Sequence, residues 1–322
     1  MYWSRRQGLA AFGLAGLGLT AGGCVHGGVG LARHEYRQRQ MGVVGRIVLY
    51  AAAEDRAVAA AKAAFDRIAA LDAVMSDYRP DSELMRLCAR AGQGAVTVSP
   101  ELFEVLAQAQ RLAELSDGAF DVTVGPYVRL WREARRARAL PPPDRLAEAR
   151  SRVGWRLLRL DPASRRVELL RAGMQLDLGG IAKGFAADEA LAVLSGQGVA
   201  RALVELGGDI AVSGPPPGAR GWAVGLGQAV AGVETIELSH QAISTSGDAE
   251  QFVEIGGERY SHVVDPATGL GLRSRVAATV TAREAIVTDG LSTLLGVLGP
   301  ERGQAFLATH QPGAKAWIRR AA

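Results

Sequence analysis

Three short segments carry side chains whose types and spacing suit phosphate and metal chemistry. The first is Asp177-Leu178-Gly179-Gly180-Ile181-Ala182-Lys183-Gly184. A carboxylate closes a strand, two glycines let the backbone approach a ligand, and a helix begins with Lys in its first turn. Free N–H groups and the helix dipole there suit an anion, and the Lys adds charge. The segment is neither a Walker A loop nor a dinucleotide fingerprint. The competing reading is an ordinary strand-to-helix turn with an exposed Lys, and the scarcity of Lys elsewhere weighs for function. The second segment, Ser261-His262-Val263-Val264-Asp265-Pro266-Ala267-Thr268-Gly269, places His and Asp three apart at a strand end. A lone His is more often structural, and Asp before Pro is more often a turn former. The third, Thr288-Asp289-Gly290-Leu291-Ser292-Thr293, sets Asp289 and Thr293 four apart on an apolar helix, so both oxygens share one face. A carboxylate with a hydroxyl is hard-cation chemistry, favouring Mg²⁺ over zinc, although a polar helix stripe is the commoner meaning of such a pair. Gly207-Gly208-Asp209 and Thr245-Ser246-Gly247-Asp248 read singly as turn chemistry.

The elements that must position these groups alternate between strands and helices. Val43 to Ala51 is β-rich, and Glu54 to Ser76 carries apolar residues at helical spacing. Ser99-Pro100-Glu101 opens a helix to about Leu115, and a basic helix runs from Pro126 to Ala139, ahead of three prolines. Trp155 to Leu170 reads as a hairpin turning at Asp161-Pro162-Ala163-Ser164. A strand from Met174 to Leu178 is expected to feed the Gly179-Gly180 turn and a helix to about Leu194. Beyond Arg201 the chain is mostly strands, at Ala202–Leu206, Trp222–Leu226, Thr235–Leu238, Gln251–Ile255 and Val276–Thr281. Helices at Ala285–Leu298 and Glu301–Thr309 and a strand at Ala314–Ile318 complete an α+β pattern of one or two interleaved lobes.

With 322 residues, 48% apolar and 22% charged, the chain has a soluble protein's composition and the means to build a sizeable core. This excludes a disordered, collagenous or multi-spanning membrane chain. The net charge of +4 is an arginine bias, since only Lys62, Lys183 and Lys315 are lysines. Arg132 to Arg138 is a local basic run, not the focused face that nucleic-acid binding needs. Cys24 and Cys88 alone exclude a disulfide framework and a cysteine zinc site.

Residues 1–24 read as an export signal. Arg5 and Arg6 precede a short apolar stretch from Leu9 to Thr20, too short to span a bilayer as a mature helix. Ser4-Arg5-Arg6-Gln7-Gly8-Leu9 resembles a twin-arginine signal, and the small residues before Cys24 resemble a lipobox with Cys24 as the lipidated first residue. Export to the periplasmic side of a bacterial membrane, with a lipid anchor at Cys24, is the expectation. Residues 25–40 are expected to be a tether and 41–322 a single catalytic unit.

The order of the motifs resembles the ApbE family of FAD:protein FMN transferases. The resemblance rests on Met41-Gly42, Met75 to Leu84, Gly118-Ala119-Phe120-Asp121-Val122-Thr123-Val124-Gly125-Pro126, and the segments at Asp177, Gly207, Thr245, Ser261 and Asp289. It runs from about Met41 to the C-terminus. It implies a mixed-sheet, T-fold-like α+β architecture with a flavin cleft between interleaved lobes. It also implies transfer of FMN from FAD to a Thr or Ser of an acceptor flavoprotein, an exported or membrane redox subunit, through a phosphoester, with AMP released. Carried over by position, Met41, Tyr78, Ala119, Phe120, Asp121, Asp177, Lys183 and Val263 look like FAD contacts. The carbonyl of Gly180, with Asp289 and Thr293, looks like the Mg²⁺ site, and His262 and Asp265 lie where the pyrophosphate chemistry would occur. Val43, Ala249 and Gly290 depart from the family's usual residues, and Gly290 weakens its helix by up to about 1 kcal/mol.

An acceptor hydroxyl is a weak nucleophile, so a base is expected nearby, either His262 or Asp265. Lys183 would offset phosphate charge, and Tyr78 or Phe120 would face a flavin or adenine ring. An FAD pyrophosphatase using water, or a non-catalytic flavin-binding lipoprotein, would use many of the same residues.

Overall fold

The computed structural model describes residues 30–226, 235–247 and 252–320. Cys24 and the export signal, and Asp248 and Ala249, lie outside the described residues. Strands β1 (Ala32–Gln40) and β2 (Val43–Ala51) form a hairpin whose loop is Met41-Gly42. Both loop residues have positive φ, 47° and 77°, as a two-residue turn matched to strand twist requires. In β2 the alternation of side chains serves two layers. Ile47 and Leu49 enter one apolar cluster and Val48 enters another.

Helix α1 (Glu54–Met75) follows, then α2 (Glu83–Ala89), β3 (Val96–Thr97) and α3 (Pro100–Leu115). The Ser99 hydroxyl caps α3 by accepting from the Leu102 N–H, with Pro100 in the first turn. Next come α4 (Gly125–Ala137), α5 (Pro143–Arg150), a 3₁₀ turn (Trp155–Leu157), and the hairpin of β4 (Leu158–Asp161) and β5 (Arg166–Leu169). Helix α6 (Ala182–Gly196) leads to β6 (Ala202–Leu206), β7 (Asp209–Val212), β8 (Trp222–Gly225), β9 (Thr235–Leu238) and β10 (Gln241–Ser246). The chain ends with β11 (Phe252–Ile255), β12 (Glu258–Ser261), β13 (Val276–Ala282), α7 (Ala285–His310) and β14 (Lys315–Arg320).

The main sheet has seven strands in the order β1-β2-β6-β7-β10-β13-β14. Its pairings are all antiparallel; the parallel pairing among the described residues is the isolated bridge Val124–Gln175. Helices α1, α6 and α7 cover one face. Their contacts are rich in alanine, including Ala61, Ala64, Ala186, Ala187 and Ala190, which lets the axes lie close. The β8–β9 hairpin covers the other face, setting Trp222, Val224 and Leu238 against Val48, Leu203, Val212 and Ile243. A smaller cluster joins α4 and α5 to the 260–264 segment through Tyr127, Trp131, Tyr260 and Val264. This is the α+β class expected. The two C-terminal helices are separated, as the sequence implies, by a kink at Gly299 (φ 75°) before Pro300.

Two expectations need correction. Residues 32–40 are an edge strand, not a tether, although Arg33, Glu35, Arg37 and Arg39 give them a solvated appearance. Met174–Leu178 forms no strand beyond that bridge. Its backbone turns instead to neighbouring groups: the Leu176 N–H donates to Cys88 Sγ and the Asp177 N–H to the Val122 carbonyl.

Candidate functional site

Three turns meet at one end of the sheet. Beside the Met41-Gly42 loop lies the β6–β7 turn, where a Cβ on Gly207 would stand 3.4 Å from Val43. The Gly208 carbonyl accepts the Thr245 N–H at 3.1 Å, adding the end of β10. Asp209 therefore begins β7 at this end, paired with Ser244. Helix α6 starts beneath it because Gly184 has no side chain: a Cβ there would lie 2.2 Å from the Ala285 carbonyl oxygen. The start of α6 is thus pressed onto the start of α7.

That contact brings Lys183, Asp209 and Asp289 together. Lys183 Nζ donates to Asp209 Oδ2 and lies 3.6 Å from Asp289 Oδ2, which also accepts the Gly184 N–H at 3.0 Å. Both carboxylates are only 4% exposed at the side chain. Burial would lower the Lys183 pKa, but Asp289 and Asp209 outweigh it and raise the pKa above the usual lysine value. Burial, with the Asp209 charge beside it, raises the Asp289 carboxyl, while Lys183 and the Gly184 N–H oppose the rise. One cation shared by two carboxylates leaves a negative charge uncompensated, so the pocket favours a further positive charge.

Thr293 stands one turn beyond Asp289 and faces the Gly179-Gly180 turn. A Cβ on Gly180 would lie 2.9 Å from Thr293 Oγ1, so the glycine keeps that hydroxyl against bare backbone. The Gly180 carbonyl, Asp289 and Thr293 offer only hard oxygen donors, which fit Mg²⁺. No cluster of three or more His, Cys, Asp or Glu suited to a metal occurs among the described residues.

A second charged group lies at Asp177. Arg132, on α4, donates to Asp77 Oδ2 and, at 3.2 Å, to Asp177 Oδ2. Its Cζ lies 4.2 Å from the centre of the Tyr78 ring, and Tyr78 is 75% exposed. The other Asp177 oxygen accepts the Gly179 N–H at 2.8 Å, tying this group to the glycine turn beside Thr293. Burial raises the Asp177 carboxyl and the Asp77 charge adds to it, against the Gly179 N–H and Arg132. The segment at Ala119 behaves differently. Ala119 packs partly buried against the core, and Phe120 is 5% exposed within it, so Tyr78 and not Phe120 is the aromatic ring open to a ligand. Asp121 is buried, and its Oδ1 accepts the Thr123 N–H and hydroxyl, each at 2.7 Å. Its carboxylate shapes the loop.

His262 follows β12 directly and is half-buried. Trp131 Nε1 donates to the Ser261 carbonyl at 2.9 Å, so α4 fixes this segment with one side chain and Asp177 with the next. The Val263 N–H donates to Ser261 Oγ, and Val263 shares a small hollow with Ser246, Gly247 and Gly296, one turn past Thr293 on α7. Asp265 is committed to its own turn, accepting the Ala267 N–H at 2.9 Å and the Thr268 hydroxyl at 3.1 Å.

Asp209, Asp77, Arg132 and Trp131 were not singled out as site residues by the sequence. The apolar stripe Tyr127, Leu130, Trp131 and Ala134 was the available signal for the last two, since it places Arg132 at the border of the buried face.

Comparison with known proteins agrees with the motif order. The family model described as ApbE family matches residues 41–318. A protein of Treponema pallidum named FAD:protein FMN transferase is 35% identical, over 98% of this chain and 90% of its own. One of Vibrio cholerae with the same name is 35% identical, over 74% of this chain and 72% of its own. Among solved structures, the apo flavinyl transferase ApbE of Pseudomonas stutzeri superposes with a TM-score of 0.80 at 29% identity, covering 91% of this chain and 92% of that one. A Thermotoga maritima ApbE protein gives 0.78 at 29% identity, covering 90% and 97%.

Proposed function

The chain belongs to the ApbE family and is an enzyme that moves FMN from FAD to a protein, and from that premise we propose how its residues do so. The acceptor is a Thr or Ser hydroxyl of a flavoprotein. Its oxygen bonds to the FMN phosphorus as the pyrophosphate bond to AMP breaks, so the protein gains a phosphoester and AMP leaves. The carrying observation is the half-buried Lys183 shared by the buried Asp209 and Asp289 beside the Gly180–Thr293 contact. Asp289, Thr293 and the Gly180 carbonyl would hold Mg²⁺, and Lys183 would face the phosphates. When bound, the ion would offset charge on the pyrophosphate oxygens and the leaving AMP.

His262 or Asp265 would act as the base, and His262 is the one tested first. The Asp265 carboxylate already accepts two hydrogen bonds within its turn, a role that supports the segment carrying His262. His262→Ala should lower turnover about 10²- to 10⁴-fold with FAD affinity little changed, as for a lost general base. Titrating FAD by flavin fluorescence and then measuring AMP release at saturation checks both parts. Loss of FAD binding with turnover preserved would make His262 a phosphate contact instead.

The N-terminal signal supports export and lipid anchoring at Cys24, on the periplasmic side of a bacterial membrane. Cys24→Ser should abolish lipid labelling and release the protein. The deciding experiment for the activity is mass spectrometry of an exported flavoprotein incubated with this protein, FAD and Mg²⁺. A mass gain matching FMN on a hydroxyl residue, lost with chelator, is expected. AMP release without labelling would favour the FAD pyrophosphatase.

A further inference from the structure

Arg132 belongs to none of the segments that carry the family resemblance, yet it joins two that do. It projects from the flank of α4, whose buried stripe is occupied by Tyr127, Leu130, Trp131 and Ala134. Its two terminal nitrogens reach different carboxylates, Asp77 on the segment after α1 and Asp177 at the glycine turn. A guanidinium held at both nitrogens is fixed in plane as well as in position. Its Cζ lies over the Tyr78 ring, 4.2 Å from the ring centre. Folding does not explain the arrangement, because Tyr78 is 75% exposed and contributes little to the core. An aromatic ring with one face against a fixed cation and a largely solvated surface is an open stacking platform.

Building on the FAD reading above, we propose that Arg132 is a positioning residue that holds the Tyr78 ring as a platform for a flat ring of FAD. The contacts of Arg132 are Asp77, Asp177 and the Tyr78 ring, none of them a proposed metal ligand, so it would act through Tyr78. Both the isoalloxazine and the adenine of FAD have the required flat π-face. The Asp177 contact gives the platform a fixed relation to Gly179 and Gly180, and so to Thr293. Lysine would keep the charge at this position but lose the planar fork and the stack.

The test uses the purified full chain with FAD as probe, read by flavin fluorescence, with thermal melts alongside. Arg132→Lys should raise the FAD Kd about tenfold, the scale of one ring stacked on an aromatic side chain. Turnover at saturating FAD should stay within about twofold, because a ring contact binds ground and transition states alike. In a Tyr78→Ala background the same substitution should have no further effect. Asp77→Asn, which removes one anchor and leaves Arg132 in place, should shift the Kd in the same direction by less, and serves if Arg132→Lys does not fold. Competition with FMN and with ADP identifies the ring: weakened FMN assigns isoalloxazine, weakened ADP assigns adenine. An unchanged FAD Kd in both variants, an undiminished Arg132→Lys effect without Tyr78, or equal weakening of FMN, ADP and inorganic pyrophosphate would overturn the proposal. Wild-type protein that fails to bind FAD at all would instead overturn the functional reading, and this inference with it.

Discussion

Lys183 lies between Asp209 and Asp289 beneath the end of the sheet, and Arg132 lies between Asp77 and Asp177 on the flank of α4. Each is one cation shared by two carboxylates, and each touches the Asp177–Gly184 turn. They differ in solvent and in shape. The acids around Lys183 are 4% exposed at the side chain, whereas those around Arg132 are 19% and 13% exposed. The two cations are almost equally exposed, 25% for Lys183 and 28% for Arg132, but the lysine is a point charge set against buried acids, and the guanidinium is a plane set against a ring. Similar charge arithmetic therefore sits in two different settings, and substitutions should affect the two groups differently.

The largest effect is expected at Lys183. Lys183→Met leaves two neighbouring carboxylates buried without a cation, and breaking such a group costs about 3–5 kcal/mol. Urea unfolding measures that cost, and AMP release should be lost with it. A loss below about 1 kcal/mol would place this group with exposed ion pairs and erase the contrast.

Asp188 sharpens the contrast because it is a largely buried carboxylate held by N–H groups rather than by a cation. Its oxygens accept the Ala285 and Ile286 N–H groups at 2.8 and 2.9 Å, at the start of α7. Burial raises its carboxyl to about 6 against the pull of those N–H groups, and Glu284 and Glu189 add to the rise. A folded pKa above the unfolded one means the folded state holds the proton more tightly. The stabilising contribution is therefore complete below about pH 3.8 and is lost as pH rises through about 6. Comparing wild type with Asp188→Asn by urea unfolding from pH 4 to 7 should show the wild-type advantage shrinking with pH, by on the order of 2–3 kcal/mol. A flat difference would mean the N–H groups cancel the burial.

How much of this was legible depended on where each group's partners lie in the chain. Lys183 drew notice by its rarity and by the turn before it, and Asp289 by its spacing to Thr293. Asp209 looked like a turn residue, because its meeting with Lys183 depends on Gly184 admitting α7, a contact across 105 residues. Arg132 was hidden in a run of arginines, and only the packing of Trp131 sets it apart from them. Phe120 and Asp121 show the opposite case: their motif is local and legible, but the inward turn of their side chains, which only packing decides, is not. Strands that are β-rich and apolar, such as Val43–Ala51, are legible in the sequence. β1, nearly all charged or polar, is not, because only its pairing with β2 makes it a strand.

Gly180 gives a smaller effect on the Lys183 side. Gly180→Ala would place a Cβ 2.9 Å from Thr293 Oγ1 and 3.0 Å from its Cγ2, so Thr293 or the turn must shift. Overpacking of this kind costs about 1–2 kcal/mol. The Mg²⁺ concentration for half-maximal AMP release should rise while FAD binding in the absence of Mg²⁺ stays near wild type. An unchanged Mg²⁺ requirement would remove the Gly180–Thr293 contact from the metal site.

The smallest stability effect is expected at Arg132, which sharpens the comparison most. Arg132→Met removes the cation but keeps a long apolar stem against Tyr78, so packing is largely retained. The ion pairs lost are partly solvated, and pairs of that kind are worth about 1 kcal/mol or less. The residual cost should come from Asp177, whose carboxyl is already raised by burial and by Asp77. Without the guanidinium its folded pKa rises further, so the variant takes up a proton on Asp177 at a higher pH than wild type does. The penalty of Arg132→Met should accordingly be largest at neutral pH and fade as pH drops, because a protonated Asp177 no longer needs the cation. Urea unfolding of the pair at pH 8 and pH 5 measures this directly. A penalty that grows toward pH 5, or one as large as that of Lys183→Met, would show that Arg132 is a buried structural charge and not the exposed support of a ring.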